Sequence, residues 1–197
     1  CSVPEAVRLC RAIRERKLRG GPHGEHLDSF KFIVTYTSNL VSSGVREVLA
    51  FLLSTGLVDA VVATAGGVEE DCIKCLGPTI IGAFDLPGES LRKQGLNRVG
   101  NLLIPNDNYV NFEKFFCPII SEIHQRQRGS ERSAPSDEDD VVRAVTTPSE
   151  VIRAMGRAVD ADVSSATGLL DAADSAKSVC RAAHLHNVPF FCPAFTD

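Results

Sequence analysis

Strands that alternate with helices along the chain predict an α/β fold, with a mostly parallel sheet and helices on both faces. Three observations carry this. Phe32 to Thr37 (FIVTYT) and Val58 to Thr64 (VDAVVAT) are short, apolar, β-branched runs of the kind buried strands use. Each is followed by small or polar residues and then by a helical pattern: Leu40, Val45, Val48, Leu49, Leu52 and Leu53 after the first run, and residues 69–76 after the second. Parallel neighbours need a crossover between them, and a helix is the usual one.

The remaining elements follow in order. Val3, Ala6, Val7, Cys10 and Ile13 recur at helical spacing, so residues 3–19 read as an amphipathic helix that Gly20, Gly21 and Pro22 end. Gly56 closes the helix after the first strand as its C′ residue. Thr79 to Phe84 reads as a short strand, 82–98 as a turn-rich segment, and Pro105 to Asn108 as a turn before a helix over 109–126 that carries Phe112, Phe115 and Phe116. Residues 125–140 (QRQRGSERSAPSDEDD) hold almost no apolar side chain and are expected to be a surface insertion. Thr147-Pro148-Ser149-Glu150 has the spacing of a capping box with Pro in the first helical position, and Val151, Ile152, Met155 and Val159 form the buried stripe behind it. A second polar stretch, 160–175, is expected to be partly helical and outside the core. A helix over 176–187 and a strand over 188–192 complete the reading.

The 197 residues carry 21 Lys plus Arg against 25 Asp plus Glu, a net charge of −4, and this excludes bulk binding to nucleic acid or to an anionic membrane surface. No apolar run approaches the roughly 18 to 20 residues of a membrane-spanning helix, and a cytoplasmic location is expected. Seven cysteines, an odd number spread through apolar segments, suit free thiols in a reducing compartment better than a disulfide framework.

In open parallel sheets, ligands bind outside the carboxyl ends of the strands. Thr37-Ser38-Asn39, Thr64-Ala65-Gly66-Gly67 and Thr196-Asp197 lie at such ends. They are either plain turn formers or a dinucleotide cradle, in which glycine lets backbone approach a phosphate closely. Neither G-x-G-x-x-G nor a G-x-x-x-x-G-K-[ST] loop is present, which disfavours an ordinary dinucleotide-binding dehydrogenase or a P-loop protein. Glu69-Glu70-Asp71 opens the second helix; these acids either complement its dipole or make a cation site suited to a polyamine. Cys72-x-x-Cys75 follows three acids, which disfavour a thiolate, so core-facing thiols are expected rather than a redox pair. His184 and His186 offer no standard second pair of zinc ligands, and no metal site is expected. Asn106, Asp107 and Asn108 are expected to satisfy local backbone.

Read together, TYTSNLVSSGVRE, VVATAGGVEEDCIKCLGPT, GLNRVGNLLIPNDNY and VPFFCPAFTD resemble deoxyhypusine synthase, over roughly residues 32–120 and 147–197. The resemblance implies a Rossmann-like NAD-binding fold, assembled as a tetramer with sites between subunits. It also implies an NAD-dependent transferase that moves the aminobutyl group of spermidine onto one lysine of a translation initiation factor precursor. Position by position, NAD-binding segments fall on Ser38, Asn39, Leu40, Val41 and Ser42, and on Thr64, Ala65 and Gly66, with Glu70 and Asp197 as further contacts. The spermidine acids fall on Glu69 and Glu70.

The family's nucleophilic lysine, its base histidine and its other spermidine contacts match nothing in this sequence, and neither Lys74 nor Lys177 takes the role. The resemblance therefore implies that residues 1–197 are the N-terminal part of one NAD-binding domain, without the catalytic C-terminal part. The other half would come from the same chain or from a paired subunit. A non-catalytic regulatory partner of such an enzyme is the alternative.

Overall fold

The computed structural model describes residues 31–132, 146–165 and 169–195, together with Arg8, Arg11, Ala12 and Glu15. The expected helix over 3–19 is met only at those last four residues, all helical and exposed. The rest of that helix, most of the insertion at 125–140, and Thr196-Asp197 lie outside the described residues.

The first strand, β1 (Ile33–Tyr36), runs into a 3-10 turn (Ser38–Leu40) and then α1 (Arg46–Ser54). Strand β2 (Ala60–Ala63) leads into α2 (Ala65–Leu76). Next come β3 (Ile80–Ile81), α3 (Gly88–Lys93), β4 (Leu96–Val99), β5 (Leu102–Pro105) and α4 (Asn106–Arg132). The last elements are α5 (Pro148–Ser165), α6 (Ala172–Ser175), α7 (Val179–Leu185) and β6 (Phe190–Phe191).

Two sheets form, and only one is parallel. In the order β1-β2-β6, Val34 pairs with Val61 and Val61 with Phe190, all strands running the same way. In the order β3-β5-β4 the pairs are antiparallel. The expectation of one mostly parallel sheet is corrected here: the segment 82–98 contains α3 and β4, and Gly100-Asn101 turns β4 back onto β5 as a hairpin, which needs no crossover.

The expectation of helices on both faces is met on one face among the described residues. Alternation sends Tyr36, Val61, Ala63 and Phe190 into the core with Leu49, Leu53, Val68, Ile152, Met155 and Val179 from the helices. Ile33 and Phe191, on the opposite face, are 54% and 46% exposed, and Thr35 is exposed beside them. Among the described residues, helices therefore cover one face of the parallel sheet.

Other boundaries moved for identifiable reasons. Helix α4 starts at Asn106 rather than Tyr109 and continues to Arg132, through the first part of the expected insertion. Gln, Arg and Glu are good helix formers, so a polar composition extends a helix that is already nucleated. Pro118 sits inside α4, where it removes one backbone bond at a cost of about 3 kcal/mol; burial of Phe115, Ile119 and Ile123 on the same helix offsets it.

The stretch 160–175 does not lie outside the core. Leu170 joins the hydrophobic cluster, Ser175 is fully buried, and Asp171 N–H donates to the Cys75 carbonyl at 2.7 Å. The capping box is as expected: Thr147 N–H donates to Glu150 Oε2 at 2.7 Å and Glu150 N–H to Thr147 Oγ1 at 3.3 Å. Helices α5 and α7 pack closely because Gly156 lacks a Cβ, which would strike the Cys180 carbonyl. Among the described residues no helix is long and apolar enough to cross a membrane.

Candidate functional site

Strands β1 and β2 are parallel neighbours, so their carboxyl ends emerge side by side and the segments after them meet. After β1 the chain turns through Ser38–Leu40, where Leu40 N–H donates to the Thr37 carbonyl at 3.1 Å and Ser42 N–H to Asn39 at 3.2 Å. After β2 it passes directly into a helix. Ala65, Gly66 and Gly67 are the first turn of α2, not a loop before it, because Thr64 in extended backbone is already the N-cap. The two segments touch at Ser38 Oγ and Thr64 Oγ1, 2.8 Å apart.

A Cβ added at Gly66 would lie 2.6 Å from Ser38 Oγ, and one at Gly67 would lie 2.8 Å from the Tyr36 ring. These glycines let the first turn of α2 close on the strand end, with Ser38 and Tyr36 in the space that side chains there would take. A helix N-terminus beside a strand end offers free amides to a phosphate-bearing ligand.

Beginning α2 at Ala65 places Glu69 and Glu70 in its second turn, away from the orphan amides, so complementation of the dipole no longer accounts for them. Glu70 is buried, yet it accepts a short hydrogen bond from Ser42 Oγ at 2.5 Å. Glu69 is half-buried; partial burial, and then the neighbouring Glu70, push its carboxyl above the ordinary range. Tyr109, on α4, is raised by burial and then by Glu69 and Glu70, which places its hydroxyl in the field of the acid pair. Sequence reading missed Tyr109, whose only signal was its place one residue beyond Asn108. A cation beside the two carboxylates lowers the cost of ionising both.

The structure thus brings together Ser38, Asn39, Ser42, Thr64, Ala65, Gly66, Glu69 and Glu70. Leu40 is exposed on the turn. Val41 is fully buried and packs in the core, so only its backbone can face a ligand. Asp197 lies outside the described residues. Asn106 and Asn108 serve the scaffold: Asn106 Oδ1 accepts from Asn97 Nδ2 at 2.6 Å, and Asn108 Nδ2 donates to the Pro78 carbonyl at 3.0 Å.

Asp71, third in the acid run, does something different. It is fully buried and accepts four hydrogen bonds: from Arg46 Nε at 2.6 Å, Ser178 Oγ at 2.8 Å, and the first-turn amides of Val179 and Cys180 in α7 at 3.1 and 2.9 Å. Arg46 also donates to the Asp71 carbonyl at 2.7 Å and to Cys75 Sγ at 2.9 Å. Burial opposes its charge, but Asp71 and Cys75 outweigh burial and raise it. Helices α1, α2 and α7 are locked at this point, which fixes the axis of the helix that carries Glu69 and Glu70.

Sequence reading missed the lock. The available signal was Arg46 at the head of the stripe Arg46, Leu49, Ala50, Leu53, a charge where an apolar residue belongs. Asp71, Cys72 and Cys180 bring their ligand atoms within 4.8 Å of one another. The carboxylate is already saturated by donors and stands against a guanidinium, an arrangement that opposes a cation. Cys72 and Cys75 face the core, and burial followed by Asp71 pushes the Cys75 thiol up to about 12. Cys117, by contrast, is exposed. His184 lies in the last turn of α7 and His186 is its C-cap.

A family model for deoxyhypusine synthase matches residues 3–197. The chain is 45% identical over 206 residues to deoxyhypusine synthase of Saccharomyces cerevisiae, covering 100% of this chain and 50% of that protein. It is 40% identical to the Kluyveromyces lactis enzyme, covering 100% of this chain and 51% of that one. It is 42% identical to the deoxyhypusine synthase regulatory subunit of Trypanosoma brucei brucei, covering 98% of this chain and 51% of that protein. The chain thus spans about half the length of these relatives. A crystal structure of a putative deoxyhypusine synthase from Entamoeba histolytica has the same fold, with a TM-score of 0.58 at 23% identity, over 97% of this chain and 55% of that one. With the family model running along nearly the whole sequence, and with these relatives beside it, the chain belongs to the deoxyhypusine synthase family.

Proposed function

We propose that this chain supplies the NAD- and spermidine-binding part of an enzyme that transfers the aminobutyl group of spermidine to one lysine of a translation initiation factor precursor, forming deoxyhypusine. The carrying observation is the acid pair Glu69 and Glu70 set against the turn after β1 and joined to it by the Ser42–Glu70 hydrogen bond of 2.5 Å. In this reading the turn Ser38 to Ser42, with Thr64, Ala65 and Gly66, holds the nucleotide, Val41 through its backbone alone; Glu70 and Asp197 make further contacts. Bound NAD supplies a hydride acceptor that later returns what it took. Glu69 and Glu70 bind ammonium groups of spermidine, and Ser42 fixes the rotamer of Glu70 so that diamine and nucleotide meet in register. Partial burial of the pair keeps water from the reacting centre and strengthens its pull on a cation.

In the same reading the nucleophilic lysine comes from a part of the assembly other than residues 1–197: the second half of the enzyme or a paired subunit. Among the described residues the face of the parallel sheet around Ile33 and Phe191 is uncovered, which supports this, since parallel sheets are ordinarily covered on both sides. A cytoplasmic tetramer with sites between subunits completes the proposal.

The test is Glu69→Gln with Glu70→Gln in the completed enzyme, with spermidine and NAD affinities measured separately by calorimetry. Spermidine binding should weaken far more than NAD binding; unchanged spermidine affinity overturns the assignment. A second reading, a non-catalytic regulatory partner, is favoured by the likeness to the Trypanosoma brucei brucei regulatory subunit. It holds if the completed protein turns over nothing by itself but raises turnover by a separate catalytic chain.

A further inference from the structure

Beside the acid pair lies a cleft of about 590 Å³, between the turn after β1 and the antiparallel sheet. Its walls include Asn39, Ser42, Lys74, Phe84 and Asn101. Lys74 is half-buried, one turn beyond Glu70 on the same face of α2. Three other lysines hold a carboxylate: Lys31 with Asp59, Lys93 with Glu89, and Lys177 with Glu47. Among the described residues Lys74 makes no hydrogen bond or ion pair. The amide side chains of Asn39 and Asn101, which also line the cleft, are likewise without partners among the described residues. The two serines of the wall are already spent, Ser42 on Glu70 and Ser43 on the Leu40 carbonyl.

Besides the buried Thr79 hydroxyl, which also has no partner among the described residues, three unused donors, one of them cationic, therefore line one cleft, and its mouth is apolar, with Ile81 and Phe84 being 81% and 70% exposed. We propose that Lys74, Asn39 and Asn101 form an anion subsite that takes the phosphate group of a small molecule whose planar or apolar body rests against Phe84 and Ile81. A half-buried ammonium without a counter-charge is costly, and burial together with Arg46 and Lys177 disfavours its charged form, while Glu70 and Asp174 attract it only from a distance. A phosphate supplies the missing charge and accepts from all three donors. The volume falls within the roughly 300 to 1,000 Å³ of small-ligand sites. The subsite shares Asn39 with the proposed nucleotide turn and to that extent rests on that reading, but Lys74 and Asn101 belong to neither proposed site, so protection of Lys74 can fail while the nucleotide and spermidine assignments stand.

The test uses the full protein and two probes, inorganic pyrophosphate and AMP. Acetylation of lysines by acetic anhydride is followed by mass spectrometry with and without each probe, and Lys93, ion-paired on the surface, is the internal control. The expected result is at least a fivefold slowing at Lys74 with no change at Lys93. Binding by calorimetry should survive in Lys74→Arg and fall at least tenfold in Lys74→Met. Of the binding that Lys74→Met removes, tighter binding of AMP than of pyrophosphate assigns the subsite to a nucleotide, and the reverse assigns it to free phosphate. Equal acetylation of Lys74 with and without both probes overturns the proposal, and this arm needs no variant to fold.

Discussion

Replacing Arg46 by Met leaves the size of the side chain nearly unchanged and removes three donated hydrogen bonds, at 2.6, 2.7 and 2.9 Å, from a site with no solvent. Asp71 keeps Ser178 Oγ and the amides of Val179 and Cys180, but its carboxylate becomes a buried charge with no cation beside it. Removing one member of such a pair costs roughly 3–5 kcal/mol. For a chain of this size that is a fall in Tm of about 6–20 °C, at roughly 2–4 °C per kcal/mol.

Asp71→Asn should cost as much in the other direction, since the amide turns a donor toward Ser178 and α7 while Arg46 stays buried and charged. The double variant should cost no more than the worse single one, because it removes both charges together. The assay is urea unfolding followed by circular dichroism, with an unchanged slope showing that stability and not compactness has moved. A loss below about 1 kcal/mol in Arg46→Met, or simple additivity in the double variant, would refute the claim that these helices are held by a charge lock.

Gly66→Ala should cost about 1–3 kcal/mol by forcing Ser38 aside, and Ser38→Gly in that background should recover most of the loss, because the clash is with the Ser38 side chain; urea unfolding of the three variants decides it. Iodoacetamide at pH 8 should label Cys117 quickly and leave Cys72, Cys75 and Cys180 untouched until the protein unfolds, since all three are buried and the thiols of Cys75 and Cys180 are raised; equal labelling of Cys75 and Cys117 in the native state counts against the packing. Glu69 carries a folded pKa above its unfolded value, so the folded state binds more protons and stability falls as pH rises through that window. Glu69→Gln should therefore stabilise the ligand-free protein at pH 7, with the advantage vanishing below about pH 4; thermal melts across that range show the crossover, and a destabilised variant at neutral pH contradicts it.

Much of this architecture was legible because local and global signals agreed. Phe32 to Thr37 is β-branched and aromatic, Gly56 is a helix stop, and Thr147 to Glu150 has capping-box spacing; each forms the element its residues favour. Failures came where tertiary contacts decided. Gly66-Gly67 reads as a break, yet it opens α2, because the cost of glycine in a first turn is outweighed by close packing on Ser38 and Tyr36. Strand β4 (LNRV) has a polar middle and gives no strand signal alone; it exists because β5 pairs with it.

Within the candidate site, the strand-end segments and the acid pair were visible as runs of small, polar and acidic residues. Tyr109 was not, because nothing local marks a tyrosine whose hydroxyl feels an acid pair nearly forty residues earlier. Asp71 reads as one more acid in a run of three, and only the fold separates it from Glu69 and Glu70 by turning it toward Arg46, 25 residues away.

One crystal structure of the completed enzyme with NAD and spermidine both bound would bear most directly on this account. The nucleotide should lie across Ser38 to Ser42 and the first turn of α2, with the ammonium groups of the polyamine on Glu69 and Glu70. Ligands seated elsewhere, with Glu70 still bonded to Ser42 and neither acid touched, would contradict it.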